Sequence, residues 1–147
     1  MKLVIHADGG SRGNPGPAAY GVIIVDETGK QIAILGKAIG VSTNNQAEYR
    51  GVIVALELVK QLILAGKKFS SLEFYLDSDL IVNQLSGKYK IKSPVLAMLA
   101  TKAKNLEKEI SVSTVYNYIP REQNKLADKI VNQVLDLKMP VYEIDLA

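Results

Sequence analysis

A chain of 147 residues with no cysteine is long enough to bury a core of its own, and it does so with neither disulfides nor thiolate-bound zinc. Its 18 Lys and Arg against 15 Asp and Glu leave a net charge of +3, a mild excess that suits a polyanionic partner without demanding one. The N-terminal MKLVIHADGG holds only a short apolar run before its first carboxylate, too little for the apolar region of a secretory signal or for a membrane span. The expectations are therefore one compact domain, a reducing, cytoplasmic setting and no membrane.

The first strand is read in Leu3 to Ala7, a run with β-branched residues that stops at Asp8 and meets a turn containing Gly9, Gly10, Gly13, Pro15, Gly16 and Pro17. Alternation puts Leu3, Ile5 and Ala7 on one face and Val4, His6 and Asp8 on the other. A carboxylate at the end of a buried strand needs a partner, a proton or a metal, because desolvating it alone is costly. An aspartate before Gly-Gly also commonly caps its own turn. From Ala18, AAYGVIIVDETGKQIAILGKAIG gives two more strands hinged at Asp26-Glu27-Thr28-Gly29.

In STNNQAEYRGVIVALELVKQLILAGKK, Thr43 and Gln46 make a capping box that starts a helix near Asn44, and Gly66 with two lysines stops it. Ala47, Gly51, Val54, Ala55, Leu58 and Leu62 mark its core stripe. Glu48 lies one residue off the stripe, in what reads as the first turn, where a glutamate ordinarily complements the helix dipole. SLEFYLDSDLIVNQLSGKYK repeats the pattern of strand and carboxylate: Leu72 to Leu76, then Asp77, then a short helix that Asp77 or Ser78 can cap and Gly87 ends. Alternating strands and helices imply a crossover and a parallel neighbour. A helix over Ser93 to Glu109 has Pro94 near its start, and SVSTVYNYIP reads as the last strand. REQNKLADKIVNQVLDLK then forms an amphipathic helix, capped by Asn124, with Leu126, Ala127, Ile130, Val131 and Val134 inward and Asp128 near its start. Residues 1–138 are read as the domain and 139–147, MPVYEIDLA, as a tail that docks on it, pairs with another chain or hangs free.

Asp8 and Asp77 thus end strands, while Glu48 and Asp128 open helices. If the two strands are neighbours, all four acids converge on one edge of the core. Their repulsion would raise their pKa values and destabilise the fold unless divalent cations neutralise them. Oxygen ligands without His or Cys suit Mg²⁺ or Mn²⁺. Two such ions about 3.5 to 4 Å apart activate a water and stabilise the leaving oxygen of a phosphodiester.

Four stretches, DGGSRGNPGPAAYG from Asp8, STNNQAEYRG around Glu48, YLDSD around Asp77 and REQNKLAD ending at Asp128, together resemble ribonuclease H type 1. They stand in the order of that family and span residues 8 to 128. The resemblance implies an α/β, ribonuclease H-like fold: a five-stranded mixed sheet, three antiparallel strands first, flanked by helices. It also implies a monomeric endoribonuclease that hydrolyses the RNA strand of RNA–DNA hybrids by a two-metal-ion mechanism. The ions would be Mg²⁺, with Mn²⁺ able to substitute, and the products would carry 5′-phosphate and 3′-hydroxyl ends. Asp8, Glu48, Asp77 and Asp128 match the metal-binding acids, with Asp8 bridging both ions, Asp77 and Glu48 on one and Asp128 on the other. Gly9 and Glu48 match contacts to ribose 2′-hydroxyls. Asn14, Thr43, Asn44 and Asn45 match further substrate contacts, Thr43 in a pocket for a DNA-strand phosphate at a helix N-terminus. Turn and cap formation accounts for the same four residues, and Thr43 can serve both purposes.

Some features depart from the family pattern. The histidine usual in the loop before the last acid is missing; Arg121 is the nearest candidate to replace it, or else binds phosphate or is simply solvated. His6, the only histidine, reads as a satisfied sheet residue although it shares a strand face with Asp8. Position 79 is Asp where a longer amide or basic side chain often contacts a base. The basic protrusion shrinks to KYKIKS, whose Lys88, Lys90 and Lys92 form either a small phosphate-binding patch or a solvated loop. Two rival readings stay open: a catalytically weak nucleic-acid-binding module, and a related nuclease that also cuts double-stranded RNA.

Overall fold

A computed structural model describes residues 1–145, and its first three strands, β1 (Lys2–Ser11), β2 (Gly16–Asp26) and β3 (Gln31–Ser42), form an antiparallel meander. Asp26 makes the second turn, its Oδ1 accepting from the N–H of Thr28, the hydroxyl of Thr28 and the N–H of Lys30. Helix α1 (Asn44–Leu64) then crosses over, so that β4 (Ser71–Leu76) lies parallel to β1. Helices α2 (Asp79–Leu85) and α3 (Pro94–Ile110) lead to β5 (Ser113–Tyr118), parallel to β4. A single 3-10 turn, Arg121–Gln123, precedes α4 (Lys125–Leu137).

The sheet has six strands where five are expected, in the order β5-β4-β1-β2-β3-β6. The sixth, β6 (Val141–Ile144), comes from the tail and pairs antiparallel with Ala33 to Gly36 of β3. Its Ile144 packs against the main core, and the N–H of Asp145 bonds to the carbonyl of Ile32 at 2.8 Å. Of the alternatives for this segment, docking on the domain is the one observed.

Two layers of helix cover the sheet. On one face Leu3, Ile5 and Ala7 of β1 meet Val52, Ile53 and Leu56 of α1 in the main core. The buried surface of α1 is wider than the expected stripe and takes in Tyr49, Val52, Ile53, Leu56 and Val59, whereas Val54 is only half-buried. The reason is that α1 is sandwiched, with β1 and β2 on one side and α3 on the other. On the opposite face α4 seats Ile130, Val131 and Val134 against Ala19. It approaches closely because β2 has Gly21 there; a Cβ at that position would lie 2.5 Å from the carbonyl oxygen of Ala127. Leu126, expected inward, is 67% exposed. The arc that faces the sheet begins at Ala127, and the residue before it falls about 100° back around the helix, into solvent.

Candidate active site

β1 does not stop at Asp8. Its antiparallel pairing with β2 runs on to Ser11 opposite Ala18, while its parallel pairing with β4 ends at His6 opposite Tyr75. Asp8 is therefore held by β2 on one side and lies just past the end of the β1–β4 ladder on the other. Asp77 follows the last residue of β4, so the two acids meet at the carboxyl ends of adjacent parallel strands, where open α/β sheets form crevices. Ser78 caps α2, accepting from the N–H of Ile81 at 3.2 Å, which leaves the Asp77 carboxylate to the crevice.

Glu48 arrives on α1. The capping box forms as expected, with Gln46 N–H donating to Thr43 Oγ1 at 3.1 Å and Thr43 N–H donating to Gln46 Oε1 at 3.0 Å. Counting from Asn44, Glu48 is the fifth helical residue, past the first turn in which it is expected, and only 6% exposed. A buried carboxyl beyond the first turn is not there to complement a helix dipole. Gly9 lets α1 press this close: a Cβ on Gly9 would stand 2.2 Å from Ala47 C and 2.3 Å from Glu48 N. Asp128 sits in the first turn of α4 and keeps 32% of its side chain exposed, with Arg121 Nη2 3.7 Å from its Oδ1.

Carboxylate oxygens of Asp8, Glu48 and Asp77 lie within 4.8 Å of one another. Asp128 and Arg121 also line the same cavity, about 400 Å³ in volume. Burial, then the charge of Asp77, pushes the Asp8 pKa up to about 7, against hydrogen bonds with Glu48 and the Gly9 N–H that pull it down. Burial, followed by the charges of Asp8 and Asp77, raises Glu48 well above the usual carboxyl range. Asp77 is also raised by burial, though a hydrogen bond from Asn124 and the charge of Arg121 oppose this. Glu48 Oε2 is buried with no hydrogen-bond partner among the described residues. Clustered negative charge with little to balance it, and an acceptor left without a donor, fit a hard divalent cation held by oxygen ligands.

The other expected site residues divide into two groups. Gly9, Asn44 and Arg121 line the acid cavity. Asn14, in the turn after β1, and Thr43 and Asn45, at the start of α1, lie outside its lining. Asn44 Oδ1 accepts from the N–H and the hydroxyl of Ser11 at 2.8 and 3.0 Å, and Asn14 Oδ1 accepts from the Asn44 N–H at 3.0 Å. These two asparagines stitch the turn after β1 to the helix that carries Glu48. His6 stacks on Tyr75 with ring centroids 5.2 Å apart, burial lowers its pKa, and it is not part of the acid cavity. Lys88, Lys90 and Lys92 are exposed.

Two residues of this site carry no functional signal in the sequence. Asn132, one turn after Asp128, has its Nδ2 3.4 Å from Asp128 Oδ2. Asn124, expected to cap α4, makes no capping bond and instead donates to Asp77 Oδ2. An asparagine just before an apolar-periodic run is an ordinary cap signal, so nothing local distinguishes it.

Residues 6–134 match the family model described as reverse transcriptase-like. A bifunctional protein of Mycobacterium tuberculosis is 41% identical over 137 residues, which make up 92% of this chain and 36% of that protein. The ribonuclease HI of Halobacterium salinarum is 39% identical over 134 residues, 90% of this chain and 64% of its own length. The chain thus spans about a third of the first relative and less than two thirds of the second. Among solved structures, LC11-RNase H1 in complex with an RNA/DNA hybrid is 40% identical with a TM-score of 0.85, covering 92% of this chain and 98% of that one. The RNase H1 of Halobacterium salinarum is 37% identical with a TM-score of 0.83 and the same two coverages, 92% and 98%.

Proposed function

This chain belongs to the ribonuclease H type 1 family, and on that footing we propose that it is a metal-dependent endonuclease for the RNA strand of RNA–DNA hybrids. The observation that carries the reading is the meeting of Asp8, Glu48 and Asp77 in one cavity, with Glu48 Oε2 buried and unpartnered among the described residues. A relative of near-equal length and 40% identity has been solved with an RNA/DNA hybrid, which supports the same substrate here.

In this reading Asp8, Glu48, Asp77 and Asp128 hold two Mg²⁺ ions, or Mn²⁺ in their place. When bound, such ions activate a water and stabilise a leaving 3′-oxygen, leaving 5′-phosphate and 3′-hydroxyl ends. The chain's own residues supply the rest. Asp8, held within β1 beside Glu48 and Asp77, would be a ligand to both ions. Gly9 and Glu48 face the ribose 2′-hydroxyl that separates RNA from DNA. Thr43 Oγ1 accepts its cap bond and its O–H, which donates to no partner among the described residues, would donate to a DNA-strand phosphate at the start of α1. Asn14, Asn44 and Asn45 form the polar rim beside it. The Arg121 guanidinium acts by charge, steadying Asp128 and attracting phosphate. Lys88, Lys90 and Lys92 extend the positive surface along the hybrid. All four acids come from one chain, which supports a monomer as the working unit, and the absence of cysteine suits the cytoplasm. Among the described residues no helix is long and apolar enough to cross a membrane.

The test is cleavage of a labelled RNA–DNA hybrid with and without Mg²⁺ or Mn²⁺, beside matched duplex RNA and duplex DNA. Metal-dependent cutting confined to the RNA strand of the hybrid is the expected result. Folded protein that binds hybrid but cuts nothing with either metal would replace the enzyme with a binding module. Cutting of duplex RNA as well would keep the chemistry and broaden the substrate.

A further inference from the structure

An asparagine at a helix N-cap ordinarily spends its side-chain oxygen on the free N–H groups of its own first turn. Asn124 stands at that position of α4 and makes no such bond. It is 1% exposed, and its Nδ2 donates instead to the carbonyl of Ala7 at 2.9 Å and to Asp77 Oδ2 at 3.1 Å. Its own main-chain carbonyl accepts from the N–H of Asp128 at 3.1 Å. One residue therefore touches the peptide preceding Asp8, the carboxylate of Asp77 and the backbone of Asp128. Two acceptors on the same nitrogen fix the amide's orientation, since the reverse orientation would set Oδ1 against both. That orientation leaves Oδ1 buried without a partner among the described residues. Giving up a cap and burying an unmatched acceptor both work against folding, so the arrangement needs a return elsewhere.

We infer that Asn124 is a positioning residue for divalent-cation binding: it aims the Asp77 carboxylate and keeps it in register with Asp8 and Asp128. The inference rests on the metal-dependent reading given above. Groups that hydrogen-bond a ligating carboxylate tune a metal site as strongly as many ligands do, because they fix which oxygen is presented and in what direction. Ala7 supplies the anchor here, a strand carbonyl that cannot move without disturbing β1.

Calorimetric titration with Mg²⁺ in the absence of nucleic acid compares the wild type with Asn124→Ala. The expected result is a Kd for Mg²⁺ raised by about 10- to 100-fold. The rise in thermal midpoint on adding Mg²⁺ should shrink in parallel. On hybrid at fixed Mg²⁺, kcat should fall while KM holds, and extra Mg²⁺ should restore the lost rate, which a merely structural defect would not allow. If Asn124→Ala does not fold, Asn124→Ser, one atom shorter and still polar, carries the same titration. An unchanged Kd in a folded variant overturns the inference, whatever its effect on stability. If the wild type neither binds Mg²⁺ nor cuts hybrid, it is the proposed function that fails.

Discussion

Asp8 is the residue on which burial and repulsion press together, and its behaviour without metal follows from that. An unfolded aspartate loses its proton near pH 3.9, whereas in the fold burial and Asp77 push Asp8 up to about 7. Between those values the folded state binds more protons than the unfolded one, so stability from this group is full below about pH 4 and is lost as the pH rises towards 7. Asp8→Asn removes that loss and also relieves Glu48, which Asp8 helps to raise. In EDTA, the variant should therefore gain stability over the wild type progressively from about pH 4 to 7, as read by thermal unfolding. Taking the difference cancels His6, whose lowered pKa tilts stability the other way below its usual titration range. The same substitution should abolish hybrid cleavage while leaving hybrid binding largely intact. Arg121, 80% exposed beside Asp128, predicts a milder outcome: Arg121→Ala should slow turnover by about tenfold, equivalent to roughly 1.4 kcal/mol of barrier, with Mg²⁺ binding retained. An unchanged rate would make Arg121 a solvated surface residue. The acids were readable in the sequence because four linked motifs carry them in order, although β1 runs on past Asp8 and Glu48 lies beyond the first turn of α1. Asn124 was not, since its bonds reach Ala7 and Asp77, 117 and 47 residues away, and no local pattern encodes that.

Elements were legible where local period and cap chemistry alone define them. The strands of the meander, the Thr43 capping box and the Ser93-Pro94 start of α3 all follow from period and cap chemistry. Legibility failed where a second neighbour intervenes. α1 buries an arc wider than one stripe because α3 covers its back, and β1 continues past Asp8 because β2 goes on pairing after β4 has stopped. The segment between α2 and α3 belongs to this scale too. Bonds from the N–H groups of Lys88 and Tyr89 to the Asn83 carbonyl, at 2.8 and 3.1 Å, fasten its start to α2. Its lysines form no ion pair among the described residues, which leaves them available to a polyanion. Replacing Lys88, Lys90 and Lys92 by Ala should weaken hybrid binding and flatten its dependence on salt, the logarithmic slope falling by about 0.9 for each lysine that meets a phosphate. Binding measured across a salt series in Ca²⁺ would show this, and an unaltered slope would mark the segment as a solvated loop.

At the scale of the whole molecule, the sheet separates chemistry from reinforcement. The acids gather where β1 and β4 part company, while β6 sits beyond β2 and β3 at the far edge. That edge strand is short, four residues, but it covers β3 and brings Ile144 onto the main core. Its apolar alternation is too brief in the sequence to separate docking from pairing with another chain, and only the open edge of β3 decides the matter. Ending the chain at Lys138 should therefore cost about 1 to 2 kcal/mol, less than a fully buried Ile plus its ladder bonds because Ile144 is only partly buried. For a domain of this size such a loss lowers the thermal midpoint by roughly 3 to 8 °C. Assayed well below both midpoints, kcat and KM for hybrid should match those of the full chain, since no residue of β6 lines the acid cavity. Equal stability after truncation would mean the strand adds nothing to the fold. A fall in kcat with Mg²⁺ binding intact would instead connect the far edge to the site, through β3 and β2 to the strand that carries Asp8.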